Sequence, residues 1–167
     1  MATMIGIIDP GDEVVIFEPF YENYGPDAIL SGATPRYVTL REPDWSFDPD
    51  ELAAAFNEKT KAIIINTPHN PTGSILQPHD IDALRKLVEG TNIFIISDEV
   101  YEHLIFEGKK HHSAIKYPSL YARSFACYSF GKVYHCTGWK MGYCVAPPEL
   151  MKEFRKIHQF NCFSCNA

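Results

Sequence analysis

Three short segments hold most of the residues that could do covalent chemistry. They are Asn66–Gly73 (NTPHNPTG), Ser97–Tyr101 (SDEVY) and the stretch that opens Ser129-Phe130-Gly131-Lys132 and runs to Lys140. A lysine amine condenses with carbonyl groups to form a Schiff base. A carboxylate beside a nitrogen heterocycle holds that nitrogen protonated. Amide and phenol donors hold an anionic oxygen, and cations with hydroxyls hold a phosphate. Each piece also has a purely structural explanation. Asn-Pro and Thr-Gly form turns unaided, and an Asp that follows a strand caps a short helix. Lys132 would by default be a solvated surface residue, and Trp139 and Tyr143 would be core.

The elements that must position these residues are punctuated by Pro and Gly. Glu13–Phe17, Thr34–Leu40, Ala62–Asn66, Ile93–Ser97, Ser124–Ser129 and Met141–Ala146 read as strands. Helices are expected over Tyr21–Leu30 and from an Asp48 cap to about Asn57, where Glu51 completes a capping box. Two more run over Pro78–Glu89, closed by Gly90, and from Pro148 towards Gln159. Apolar strands separated by helices make an α/β protein: a three-layer αβα arrangement with a mostly parallel sheet. Ligands of such sheets bind beyond the carboxyl ends of the strands. Asn66–Gly73, Asp98–Tyr101 and Phe130–Lys140 all begin there. No G-x-G-x-x-G follows a strand and no G-x-x-x-x-G-K-[ST] occurs, so dinucleotide and P-loop readings lose their main support. A strand-end Asp, a strand-end Asn and a loop Lys at one sheet edge match the needs of a pyridoxal phosphate site, where a carboxylate keeps the ring an electron sink.

The ordered set Asp9-Pro10-Gly11-Asp12, Pro19-Phe20-Tyr21, Asn66–Gly73, Ser97–Tyr101, Ser129–Lys132 and Gly138–Tyr143 resembles the class I aminotransferases of fold-type I architecture. The branch it looks closest to contains kynurenine, methionine and broad-specificity aspartate aminotransferases. The resemblance implies that Lys132 is the Schiff-base lysine and proton shuttle, and that Asp98 pairs with the pyridinium nitrogen. It implies that Asn70 and Tyr101 hydrogen-bond the ring oxygen, Tyr21 stacks on the ring, and Ser129 and Lys140 bind the phosphate. It also implies pyridoxal 5'-phosphate as cofactor, amino-acid and 2-oxo-acid substrates, and a homodimer in the full-length protein. A carbon–sulfur β-lyase of the same fold is the enzymatic alternative, disfavoured by Tyr101, where such lyases tend to have His. A non-catalytic, truncated cofactor-binding chain is the other.

Family members carry a phosphate loop ahead of the position of Met1 and a small domain, with the carboxylate-gripping arginine, beyond that of Ala167. None of Arg36, Arg41, Arg85, Arg123 and Arg155 sits in that arginine's motif. The expectation is therefore a single domain over 1–167, the central segment of a large domain incomplete at both ends. Gly131, where many relatives have Ser or Thr, reads as a tolerable departure.

Composition narrows the alternatives. The 167 residues include 15 Lys+Arg against 21 Asp+Glu, a formal charge of −6, with 46% hydrophobic residues. Such a chain has enough apolar material to fold. An acidic balance without a basic run argues against nucleic acid. The longest apolar stretches fall far short of the ~20 residues of a membrane helix, and the expected location is cytoplasmic. Five cysteines, with Cys162 and Cys165 as the one C-x-x-C, imply neither a disulfide framework nor a metal site. His111-His112 reads as a solvated loop.

Overall fold

The protein's structure, a computed structural model, describes residues 1–165. The chain runs α1 (Ala2–Ile7), β1 (Glu13–Glu18), α2 (Tyr24–Leu30), β2 (Thr34–Thr39), α3 (Pro49–Ala54), β3 (Thr60–Asn66) and α4 (Pro78–Val88). It continues through β4 (Phe94–Asp98), a 3-10 turn at Ala114–Lys116, α5 (Pro118–Tyr121) and β5 (Ser124–Ser129). It ends with α6 (Phe130–Val133), a 3-10 turn at Thr137–Trp139, β6 (Gly142–Val145) and α7 (Pro148–Asn161). The strands form one sheet in the order β2-β1-β3-β4-β5-β6. All neighbours are parallel except β5 and β6, which pair antiparallel from Ala126↔Val145 to Ser129↔Gly142. The β5–β6 connection turns back on itself and carries no crossover helix, so the last strand must reverse.

Both faces of the sheet are covered, which is why its central strands carry the apolar runs Val14–Phe17, Ala62–Ile65 and Phe94–Ile96. Alternation sends Val15, Phe17, Ile63, Ile65 and Ile95 to one face, where Leu52 of α3, Ile81 and Leu84 of α4 and Leu120 of α5 pack. Val14, Ile16, Ala62, Ile64 and Ile96 go to the other, against Met4 of α1 and Ala28 of α2. Each such aliphatic side chain contributes about 1.5–3 kcal/mol when fully enclosed. Among the described residues no helix is long and apolar enough to cross a membrane.

Four departures from the sequence reading stand out in the fold. The second helix starts at Tyr24 rather than Tyr21. Pro26 has no N–H, and only in the first turn is none needed; a start at Tyr21 would leave an i−4 carbonyl unpaired inside the helix. The third helix stops at Ala54, and Glu51 does not complete a capping box. Asp48 caps the helix, with Oδ1 accepting from the N–H of Asp50 at 2.8 Å, while Glu51 pairs with Arg41 at 2.6 Å. Ala2–Ile7 forms a helix that was not foreseen, being too short for a periodic signal. Finally, His111 is not solvated: its side chain is 11% exposed and its Nε2 lies 2.8 Å from the buried carboxylate of Glu99.

Candidate functional site

The direction of winding reverses between β1 and β3. From β1 the chain crosses to β2 on one side, and from β3 it proceeds through β4 and β5 on the other. A crevice opens beyond the carboxyl ends of strands at such a switch point. Here the crevice is a small cleft of about 180 Å³, lined by Tyr21 and Tyr24 after β1, Asn66 and Asn70 after β3, Asp98, Val100 and Tyr101 after β4, and Ser129 and Lys132 after β5. A larger hollow of about 490 Å³ lies on the far side of the Asn66–Gly73 turn, and it holds none of the expected site residues.

Local hydrogen bonds set each side chain. Asn66 Nδ2 donates to the carbonyls of Pro68 at 3.1 Å and Asp98 at 2.9 Å, and its Oδ1 accepts from the N–H of Asn70 at 2.7 Å. One side chain thereby fixes the turn that presents Asn70 and ties it to the end of β4. Tyr24 donates its hydroxyl to Asp98 Oδ2 at 2.6 Å, and the N–H of Val100 donates to Asp98 Oδ1 at 3.2 Å. Burial pushes the Asp98 carboxyl above its ordinary value; Tyr24, Val100 and the nearby Lys132 charge pull the other way. Burial and the Asp98 charge push the Tyr24 phenol far up, so it stays a donor. Ser129 caps α6, its Oγ accepting from the N–H of Lys132 at 3.3 Å. The Lys132 ammonium stands over the Tyr101 ring, 5.8 Å from its centroid, and makes no hydrogen bond or ion pair among the described residues.

Six of the seven residues expected from the sequence, Tyr21, Asn70, Asp98, Tyr101, Ser129 and Lys132, thus line one cleft. Lys140 does not. It is exposed on the neighbouring turn, with φ +55° closing the Thr137–Trp139 turn. Trp139 and Tyr143 are not core, being 64% and 45% exposed. Gly131 packs closely on the following turn: a Cβ there would meet Thr137 Cα at 2.8 Å. Sequence reasoning missed Tyr24 and Asn66. Tyr24 lies three residues after Tyr21, a spacing that puts both on one side of a turn; Asn66 was visible only as a strand end.

A cleft with a free amine and a half-buried carboxylate, flanked by amide and phenol groups, can hold a small aromatic aldehyde. The comparisons agree with that chemistry. A model of the family described as aminotransferase class I and II matches residues 1–167. The chain is 45% identical over 166 residues to the methionine aminotransferase of Escherichia coli, covering 99% of this chain and 43% of that protein. With human kynurenine–oxoglutarate transaminase 3 it shares 38% over 173 residues, 98% of this chain and 38% of that one. Among solved structures, E. coli YbdL, described as having a methionine aminotransferase function, superposes with a TM-score of 0.95 over 99% of this chain and 44% of its own, at 45% identity. Aspartate aminotransferase from Thermus thermophilus with maleate gives 0.91 at 29% identity, over 99% of this chain and 43% of its own. The chain spans about two fifths of the length of the curated relatives it matches. Fold, cleft and family profile coincide along its whole length: the chain belongs to the aminotransferase class I and II family.

Proposed function

We propose that the cleft binds pyridoxal 5'-phosphate and that the whole protein moves an amino group between an amino acid and a 2-oxo acid. Membership of the family implies both the cofactor and the substrate classes. The observation that carries the reading is the convergence of Lys132, Asp98, Asn70 and Tyr101 on one cleft at the switch point of the sheet. The residues fit the cofactor. Asp98 is a carboxylate whose burial favours protonation, and a cationic ring nitrogen is the counter-charge that would keep it ionised. When bound, the cofactor supplies an electron sink for bonds at the substrate's α-carbon.

Everything else falls to the chain. Lys132 Nζ is the amine that would hold the cofactor through its aldehyde group and would carry the proton at the substrate's α-carbon. Asp98 keeps the ring nitrogen protonated, and Tyr24 holds Asp98 in place. Asn70 and Tyr101 would donate to the cofactor's ring oxygen, and Tyr21 would pack against its ring. Ser129 keeps a hydroxyl proton to donate to the phosphate, and Lys140 is assigned to the phosphate's charge. We assign the chain to the central part of the cofactor-binding domain. A homodimer is proposed for the whole protein because Phe130, Tyr134, Trp139 and Tyr143 expose aromatic surface beside the cleft.

Borohydride reduction of the protein with pyridoxal phosphate, followed by peptide mapping, tests the reading. The expected result is a pyridoxyl group on Lys132. A label on Lys140 or another lysine, with Lys132 unmodified, refutes it.

A further inference from the structure

Glu99 adjoins Asp98, yet its side chain does not line the cleft and is wholly enclosed, 0% exposed. A carboxylate tolerates such burial only when its oxygens are hydrogen-bonded. Oε1 accepts from Ser97 Oγ at 2.8 Å and from the N–H of Ala114 at 3.1 Å. Oε2 lies 2.8 Å from His111 Nε2 and accepts from the Tyr128 hydroxyl at 3.2 Å. These partners fill the four acceptor positions of a carboxylate. Burial pushes the Glu99 carboxyl up, but His111, Ser113 and Ser97 together bring it below its ordinary value, so it is ionised.

The partners come from separate parts of the fold: Ser97 from β4, Tyr128 from β5, His111 and Ala114 from the loop between them. The main chain of Glu99 is pinned as well, its N–H donating to the Cys127 carbonyl at 2.9 Å and its carbonyl accepting from the N–H of Glu102 at 3.0 Å. On the β5 side the Tyr128 ring stacks on Tyr143 at 4.9 Å, and Tyr143 packs on Phe130 at 5.3 Å. Phe130 is the first residue of the turn that carries Lys132. A continuous set of contacts thus runs from the main chain of Asp98, through Glu99, to the support of Lys132.

We infer that Glu99 is a positioning residue, whose buried carboxylate fixes the placement of Asp98 and Tyr101 relative to Lys132 through Tyr128 and the main chain. The inference rests on the cofactor reading above for its functional consequence only. The variants to compare are Glu99→Gln, which keeps the shape but sets an amide against donors, Tyr128→Phe, which removes the hydroxyl's bonds to Glu99 and Ser113 and keeps the ring, and Leu52→Ala, a destabilised control in the core under α3. Two readouts serve: the visible absorption spectrum of pyridoxal phosphate bound to the protein at one fixed pH, and amide hydrogen exchange, without cofactor, at Glu102, whose N–H donates to the Glu99 carbonyl, and at Lys132, whose N–H donates to Ser129.

Glu99→Gln is expected to weaken cofactor binding about tenfold, to alter the ratio of the bound cofactor's absorption bands, and to speed exchange at both amides. Tyr128→Phe should act in the same direction and less. Leu52→Ala, at a comparable loss of melting temperature, should leave the band ratio as in the wild type and the two amides no faster than the rest of the sheet. Glu99→Gln and Tyr128→Phe indistinguishable from Leu52→Ala would overturn the inference, and Tyr128→Phe alone decides if Glu99→Gln does not fold. A wild-type protein that takes no cofactor on Lys132 would instead defeat the cofactor reading, and the exchange data would still decide the placement.

Discussion

The two walls of the cleft are built differently. The wall formed by the ends of β3 and β4 is fixed from within: Asn66 joins the two strand ends, Tyr24 and Val100 hold both oxygens of Asp98, and Glu99 anchors the following turn in the core. The wall formed by the β5–β6 turn is fixed chiefly by backbone shape. There Ser129 caps four helical residues, and the Thr137 hydroxyl donates to the Gly131 carbonyl at 3.1 Å. Lys132 extends from this wall with only a ring beneath it. The difference suits the proposed chemistry. A group that acts by a fixed charge benefits from a preorganised, partly dry setting, whereas an amine that must bond, release and carry a proton needs room to move.

The strongest way to break this comparison is to remove the fixed charge and keep its shape. Asp98→Asn can still accept the Tyr24 hydroxyl but no longer holds a ring nitrogen protonated. In a transamination assay of the whole protein, kcat and kcat/KM should fall together by about 10²–10³-fold, or ~3–4 kcal/mol, the worth of one preorganised electrostatic group. An unchanged kcat would show that the β3–β4 wall acts as scaffold only.

The sequence made most of this legible at the level of elements. The inner strands β1, β3 and β4 stood out because strands buried on both faces carry apolar runs, whereas the edge strands β2 and β6, exposed along much of their length, were located by the turns that bound them. Side chains whose chemistry is unusual at a strand end, such as Asp98 and Lys132, were legible too. What escaped were roles that exist only across the fold. Glu99 lay inside a segment singled out for its neighbour, but its partners His111, Ala114 and Tyr128 are 12 to 29 residues away. His111-His112 looks like a polar loop in one dimension, and only the enclosed carboxylate makes His111 an interior residue. Lys140 shows the opposite case: its motif puts it at the phosphate, while in the structure the left-handed turn leaves it exposed and outside the residues lining the cleft.

The second wall is tested by crowding its backbone. A Cβ at Gly131 would meet Thr137 Cα at 2.8 Å and Thr137 N at 3.3 Å, whereas one at Gly138 would meet nothing within 4 Å. Gly131→Ala should therefore destabilise by about 1–3 kcal/mol, the usual cost of overpacking. Gly138→Ala should stay within about 0.5 kcal/mol of the wild type. Denaturant unfolding of the two variants side by side checks this. Equal stabilities would mean that the β5–β6 turn gives way easily and that its shape does not hold Lys132.

The smallest effect expected concerns the β3 side, where His69 is 8% exposed and its Nδ1 lies 2.8 Å from Thr72 Oγ1. Burial depresses its pKa to about 4, against a backbone contact from Pro19 that favours the proton. In the unfolded chain a histidine titrates near ~6.5. Between those values the unfolded state binds the extra proton, so stability is complete above pH 6.5 and declines as pH falls towards 4. By pH ~5 the loss should reach about 1–2 kcal/mol. His69→Gln cannot titrate and should lose less between pH 7 and ~5, leaving a melting temperature with a flatter acid limb. If the two proteins lose stability in parallel, His69 is protonated in place without strain, and the β3 turn is as yielding as the wall that carries Lys132.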